Sequence, residues 1–383
     1  MKRIMTIYGT RPEAIKVAPV IKALEQSEQF ESLAVVTGQH KEMLQQVNEL
    51  FGINPVADLE VMTQNQSLNE IVAKVVSGID QQLADHAPDA VIIQGDTSTV
   101  MGAAIAAFNR QIPVVHVEAG LRSGDIESPF PEEANRKLTT QVARLHLAPT
   151  AQSKANLLNE GVSEANIAVT GNSVIDALMK AVENSEPFTD PDLEEFAGSK
   201  RPLVLVTTHR RENLGENMVS IGRALNYLAT ENLDYQFVLP IHKNPKVREA
   251  VLPQIEGLEN VLIIEPLNYG EFTRLIASAH FILTDSGGVQ EEAPSLGKPV
   301  LVLRENTERP EAVDAGTVRL IGASYERIVE EASRLIRDQA HYDSMANAVN
   351  PYGDGKAAER TVAALESFFG LGARLPDFQP NVS

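Results

Sequence analysis

At 383 residues the chain is long enough for two domains of ordinary size, and 43% hydrophobic with 22% charged residues argue against a disordered or fibrous chain. Fifty-two acidic against thirty-three basic residues leave a formal charge of −19, which disfavours nonspecific attraction to nucleic acid or an anionic membrane, so any phosphate must be held by a local site. Cysteine is absent, which removes disulfides and thiolate chemistry.

The first apolar run, Ile4 to Tyr8, reaches a glycine too soon for a secretory h-region, and no later run is long enough to span a bilayer. The expected location is the cytoplasm. Further runs follow at Leu33 to Thr37, Ala90 to Gln94 and Val114 to Val117, and then at Leu203 to Thr207, Phe237 to Leu239, Val261 to Ile264, Phe281 to Thr284 and Val300 to Leu303. They are continuous rather than alternating, as in strands covered on both faces, and helical patterns separate them. The fold class is therefore α/β with parallel sheets. A polar stretch, ENSEPFTDPDLEEFAGSKRP, parts the runs into two groups and reads as a connection. The expected domains are 1–171 and 172–357, and two such halves would leave a ligand cleft at the carboxyl ends of their strands.

Nearly every strand leads straight into a polar motif. The first half carries GTRPEAIK, QGDTST and HVEAGLRSGDIESPFPEEANR, and the second THRRENLG, PIHKNP, TDSGGVQEEAPSLGKP and LRENTERPEA. Any one of these could be a capped loop, but seven on the same strand ends point to a site. Ser286, Gly287 and Gly288 follow a strand and open a helix, an arrangement that offers free N–H groups to a phosphate. Glu292 lies one turn further on, where a carboxylate suits ribose hydroxyls, although Glu291 and Glu292 would also complement the helix dipole. Arg11, Lys16, Arg304 and Arg309 are candidate local cations for a diphosphate. Asp96, Glu118, Glu132 and His209 form an acid–base inventory, whose convergence spacing alone does not decide. GxGxxG, Walker A and HExxH patterns are missing, so neither a nicotinamide cofactor nor a metal is expected.

At these motifs, in this order and over nearly the whole chain, the sequence resembles the non-hydrolysing UDP-N-acetylglucosamine 2-epimerases. The resemblance implies the glycosyltransferase-B architecture, with two Rossmann-like domains and a last segment, 358–383, that packs back on the first. It implies catalytic roles for Asp96, Glu118, Glu132 and His209, and substrate contacts from Arg11 and Lys16. Phe272 would face the uracil, Ser286, Gly287 and Gly288 the diphosphate and Glu292 the ribose, with Arg309 adding a contact. A homodimer acting on UDP-GlcNAc, UDP-ManNAc and UDP, without cofactor, is implied, as is supply of ManNAc for surface polysaccharide. A regulatory second UDP-GlcNAc would meet Gln39, Glu132, Arg210 and His242. Glu42 and Asn65 depart from that pattern, so weakened or absent activation is expected.

The chemistry agrees with this inventory. A pyranose C2–H has no adjacent carbonyl and is too weakly acidic for simple removal and return. Loss of UDP from C1 as the C2 proton leaves solves this, and needs a base, an acid and a site for the departing diphosphate. A hydrolysing epimerase, a glycosyltransferase of the same architecture and a UDP-sugar sensor are the competing readings.

Overall fold

In the computed structural model, which describes residues 1–38, 41–63, 66–307 and 309–380, each of the nine apolar runs forms a strand. In the first group β1 (Lys2–Tyr8), β2 (Phe30–Val36), β3 (Ala57–Asp58), β4 (Ala90–Gln94), β5 (Val114–Val117), β6 (Leu145–Ala148) and β7 (Ile167–Val169) build a sheet in the order β3-β2-β1-β4-β5-β6-β7. In the second, β8 (Leu203–Thr207), β9 (Gln236–Pro240), β10 (Val261–Ile264), β11 (Ala279–Thr284), β12 (Val300–Val302) and β13 (Val318–Leu320) run in the order β10-β9-β8-β11-β12-β13. Every pairing among them is parallel. The strand order reverses between β1 and β4 in one sheet and between β8 and β11 in the other. Those are the positions outside which open parallel sheets bind ligands.

The continuous apolar character of the strands follows from helices on both faces. On one face of the first sheet Met5, Ile7, Val91 and Ile93 pack with Val75 and Ile79 of helix Leu68–His86 and with Val100, Ala103 and Ala104 of helix Ser98–Asn109. On the other, Ile4, Ile92 and Val115 meet Val20 and Leu24 of helix Arg11–Gln26 and Leu365 of helix Ala357–Phe368. In the second sheet Val204, Val206, Phe237, Phe281 and Leu283 pack with Ile221 and Leu225 of helix Glu216–Glu231, Val251 of helix Pro245–Ile255 and Ile328 of helix Tyr325–Arg337. Among the described residues no helix is long and apolar enough to cross a membrane.

The chain divides into two compact units, one comprising Met1–Ala177 with Tyr352–Gln379 and the other Leu178–Pro351. The division falls inside helix Ser173–Glu183, later than residue 171, because the first turn of that helix is bonded to the first unit: the Ser173 hydroxyl donates to the Lys16 carbonyl at 2.6 Å. The chain returns at Tyr352, earlier than residue 358, since the Asn172 N–H donates to the Tyr352 carbonyl at 2.7 Å. Phe378 then donates to the Val169 carbonyl at 2.7 Å, and helix Ala357–Phe368 lies against helix Arg11–Gln26.

Candidate functional site

In the first unit the polar motifs after β1, β4 and β5 are tied to one another. Thr10 caps helix Arg11–Gln26 and Glu13 answers with a capping box, accepting from the N–H groups of Gly9 at 2.6 Å and Thr10 at 2.9 Å. Its other oxygen accepts the Thr97 hydroxyl at 2.5 Å, which fastens the loop after β1 to the loop after β4. Burial pushes the Glu13 carboxyl up to about 7 against these three bonds. Arg11 is exposed at the start of the same helix. Lys16, one turn beyond Glu13, places its ammonium 2.5 Å from Glu118 Oε1, and the two side chains are 15% and 8% exposed.

Glu118 follows β5 with φ +62°, a left-handed conformation rare and costly for a residue with a side chain. Besides Lys16 it accepts from the Gln94 amide and, at 3.4 Å, from Asn172. Gly120, two residues on, must be glycine: its φ is +93° and a Cβ there would stand 2.2 Å from the Ser153 carbonyl. Gly95 holds the neighbouring loop through its carbonyl, which lies 2.7 Å from His116 Nε2. Burial lowers the pKa of His116 to about 4, so its ring is neutral and Nε2 is the donor.

The SPFPEEANR motif surrounds Asp96. The Ser128–Pro129 and Phe130–Pro131 peptides are cis, and helix Glu132–Val142 begins directly after them. Arg136 reaches Asp96 Oδ2 from Nε at 2.8 Å and Nη2 at 2.7 Å, while the Asn135 amide donates to the Asp96 carbonyl at 2.8 Å. Glu133, fully buried, accepts from Arg136 at 3.0 Å and from the Ser123 N–H at 3.1 Å. Glu132 is half-buried at the first position of the helix. Thus Asp96 and Glu118 are linked through the β4 loop, and Glu132 belongs to the helix that holds Asp96.

In the second unit the corresponding strand ends are joined by the hydroxyls of Thr207 and Thr284, 2.6 Å apart. Asp285, with no exposure, accepts from the Thr208 hydroxyl at 2.9 Å, from the Arg210 N–H at 2.9 Å and from the Asn213 amide at 3.0 Å. It also accepts the His209 N–H, and its Oδ1 is 3.3 Å from His209 Nδ1. Burial lowers the pKa of His209. Asp285 opposes that shift, while Arg210 and His242 add to it. The exposed His242 stacks on His209 with ring centroids 5.6 Å apart. Gln39 and Asn65 lie outside the described residues, as does the side chain of Glu42.

Ser286 donates its N–H to Thr284 at 2.9 Å and precedes helix Gly287–Glu292. At Gly287 the Arg309 guanidinium lies close to the backbone, 2.7 Å from where a Cβ would stand, and its Nε donates to Glu291 at 2.6 Å. Gly288 is half-buried and Glu292 is buried one turn on. Phe272, half-buried, lies on helix Tyr269–Ser278, which packs against the turn Ala293–Leu296. Arg304 is 7% exposed and its Nε is 2.5 Å from Glu212. Glu13, Gln94, His116, Glu133, Arg136, Asn172 and Asp285 were not singled out from the sequence. Apart from Asn172, which lies outside the seven motifs, their only signal is membership of the strand-end motifs.

Two doubly wound parallel sheets with polar clusters at both reversals define an α/β enzyme of the glycosyltransferase-B type. The profile of the family described as UDP-N-acetylglucosamine 2-epimerase matches residues 22–366. The UDP-N-acetylglucosamine 2-epimerase of Escherichia coli K12 is 49% identical over 378 residues, covering 95% of this chain and 98% of that protein. Among solved structures, the S. aureus MnaA–UDP complex superposes with a TM-score of 0.87 at 45% identity, covering 99% of this chain and 100% of that one. The Neisseria meningitidis UDP-GlcNAc 2-epimerase bound to UDP-GlcNAc gives 0.84 at 45% identity, covering 95% and 100%. This chain belongs to the UDP-N-acetylglucosamine 2-epimerase family.

Proposed function

We propose that this chain interconverts UDP-GlcNAc and UDP-ManNAc by elimination and re-addition of UDP. A base takes the C2 proton, the C2–H electron pair becomes the C1=C2 bond of 2-acetamidoglucal, and the C1–O bond breaks with its pair leaving on UDP. Re-addition reverses these steps with the proton delivered to the other face of C2. The observation that carries the reading is Glu118, a carboxylate in a costly backbone conformation, gripped by Lys16 and Gln94 beside the loop of Asp96. Asp96, Glu118, Glu132 and His209 supply acid and base, and Arg11 and Lys16 contact the substrate. Ser286, Gly287, Gly288 and Arg309 hold the diphosphate, Glu292 the ribose and Phe272 the uracil. The complexes of relatives with UDP and UDP-GlcNAc support this ligand class. The product would supply ManNAc units for surface polysaccharide.

The test is to incubate the purified protein with UDP-GlcNAc alone and follow the anomeric protons by NMR. A stable mixture of UDP-GlcNAc and UDP-ManNAc is expected. Accumulation of UDP with free ManNAc would instead identify a hydrolysing enzyme, and an unchanged spectrum would rule the reading out.

A further inference from the structure

We propose that Asp285 is a positioning residue for His209, fixing the loop after β8 and keeping the ring proton on Nδ1 so that Nε2 is the reactive nitrogen. The inference rests on the reading of His209 as an acid–base group. Asp285 Oδ2 accepts from four donors of the loop: the Thr208 hydroxyl, the His209 N–H, the Arg210 N–H and the Asn213 amide. Oδ1 shares the His209 N–H, at 3.1 Å, and is the oxygen that faces the ring, with Nδ1 3.3 Å away. An imidazole lone pair set against a carboxylate oxygen at that distance is repelled, whereas an N–H is attracted, so the proton resides on Nδ1. The Nε2 lone pair then accepts a proton during turnover. The resulting imidazolium faces the Asp285 carboxylate, and returning the proton restores the neutral ring.

The geometry also accounts for why the carboxylate is buried. With no exposure it is not screened by water, so its field on the ring is strong. The ring itself is 38% exposed and stacks on His242, which leaves its outer edge accessible while limiting rotation. Four donors hold the carboxylate on one oxygen, so Asp285 cannot swing away when the ring changes charge.

The experiment is a long-range ¹H–¹⁵N correlation of histidine-labelled protein near neutral pH, with the His209 resonances identified by their loss in His209→Asn. The wild type should show a protonated Nδ1 and an unprotonated Nε2. In Asp285→Asn the new amide donates to Nδ1, so the proton should move to Nε2 and kcat should fall roughly 10²-fold with KM less affected. A wild-type ring protonated on Nε2 overturns the proposal, and this holds even if the variant does not fold. So does a folded Asp285→Asn that keeps both tautomer and turnover. If the protein does not epimerise UDP-GlcNAc at all, the proposed function fails while the ring measurement still decides the pairing.

Discussion

Glu118 and Glu132 illustrate how differently two carboxylates of one set can be prepared. Glu118 is held by Lys16, Gln94 and Asn172 in a left-handed backbone conformation, whereas Glu132 is half-buried at a helix start. Under the proposed mechanism, neutral amides at either position would remove proton transfer while nearly keeping shape. Glu118→Gln and Glu132→Gln should each lower kcat by roughly 10² or more in steady-state assays. Glu118→Gln also strips Lys16 of its counter-charge, so only that variant should change the protein's thermal midpoint. Retention of full turnover by both variants would remove these residues from the mechanism. The sequence displays both carboxylates but not their supports. Glu132 and Glu133 are adjacent and chemically alike, and only the helix phase shows that Glu133 is buried against Arg136. Asp285 and Glu13 are equally hidden, because a buried hub and an ordinary cap share the same residue types and spacing.

At the scale of elements, the buried central strands are legible because helices on both faces force continuous apolar runs. The strands that escape a reading of the sequence are β3, β6, β7 and β13. Three of these are sheet edges of two or three residues, and β6 is a four-residue run interrupted by His146. The return helix Ala357–Phe368 presents a further feature that no local pattern reveals. It has no side-chain cap of its own, and its first N–H groups donate to Asp176, at 3.2 Å from Ala357 and 2.8 Å from Ala358. Burial raises the Asp176 carboxyl from 3.8 to about 6 despite these bonds. A raised folded-state pKa means that the native protein binds the proton more tightly than the unfolded chain. The contribution of Asp176 is therefore fully present below about 3.8 and is lost as pH rises through about 6. Urea unfolding of wild type and Asp176→Asn across this window should show the difference in stability, wild type minus variant, falling with pH and then levelling. A difference that grows with pH would show that the helix N–H groups outweigh burial.

At the scale of the whole molecule, the net charge of −19 means that the proposed nucleotide diphosphate would be bound against an unfavourable overall field, so the proposal places its recognition on local groups such as Lys16 and Arg309. The architecture was legible because seven motifs recur at strand ends, but the contacts that make each motif a site come from residues far apart in sequence. Arg136 meets Asp96 across 40 positions and Asn213 meets Asp285 across 72. The strongest consequence of the proposed chemistry is that the C1–O bond breaks in every forward turnover. UDP-GlcNAc carrying ¹⁸O in the oxygen that bridges C1 and phosphorus should therefore scramble its label into the non-bridging positions of the β-phosphate, read as ³¹P isotope shifts. In D2O the same reaction should place deuterium at C2, because the group that delivers the proton exchanges with solvent. Deuterium entry alone is also compatible with transient oxidation at C3, which would acidify the C2–H, so the oxygen label is the discriminating one. Long incubation should in addition release small amounts of UDP and 2-acetamidoglucal. Glu118→Gln should slow deuterium entry and oxygen scrambling by the same factor, since removal of the C2 proton and departure of UDP belong to one elimination. Epimerisation with neither scrambling nor released glycal would refute elimination while leaving the family assignment intact.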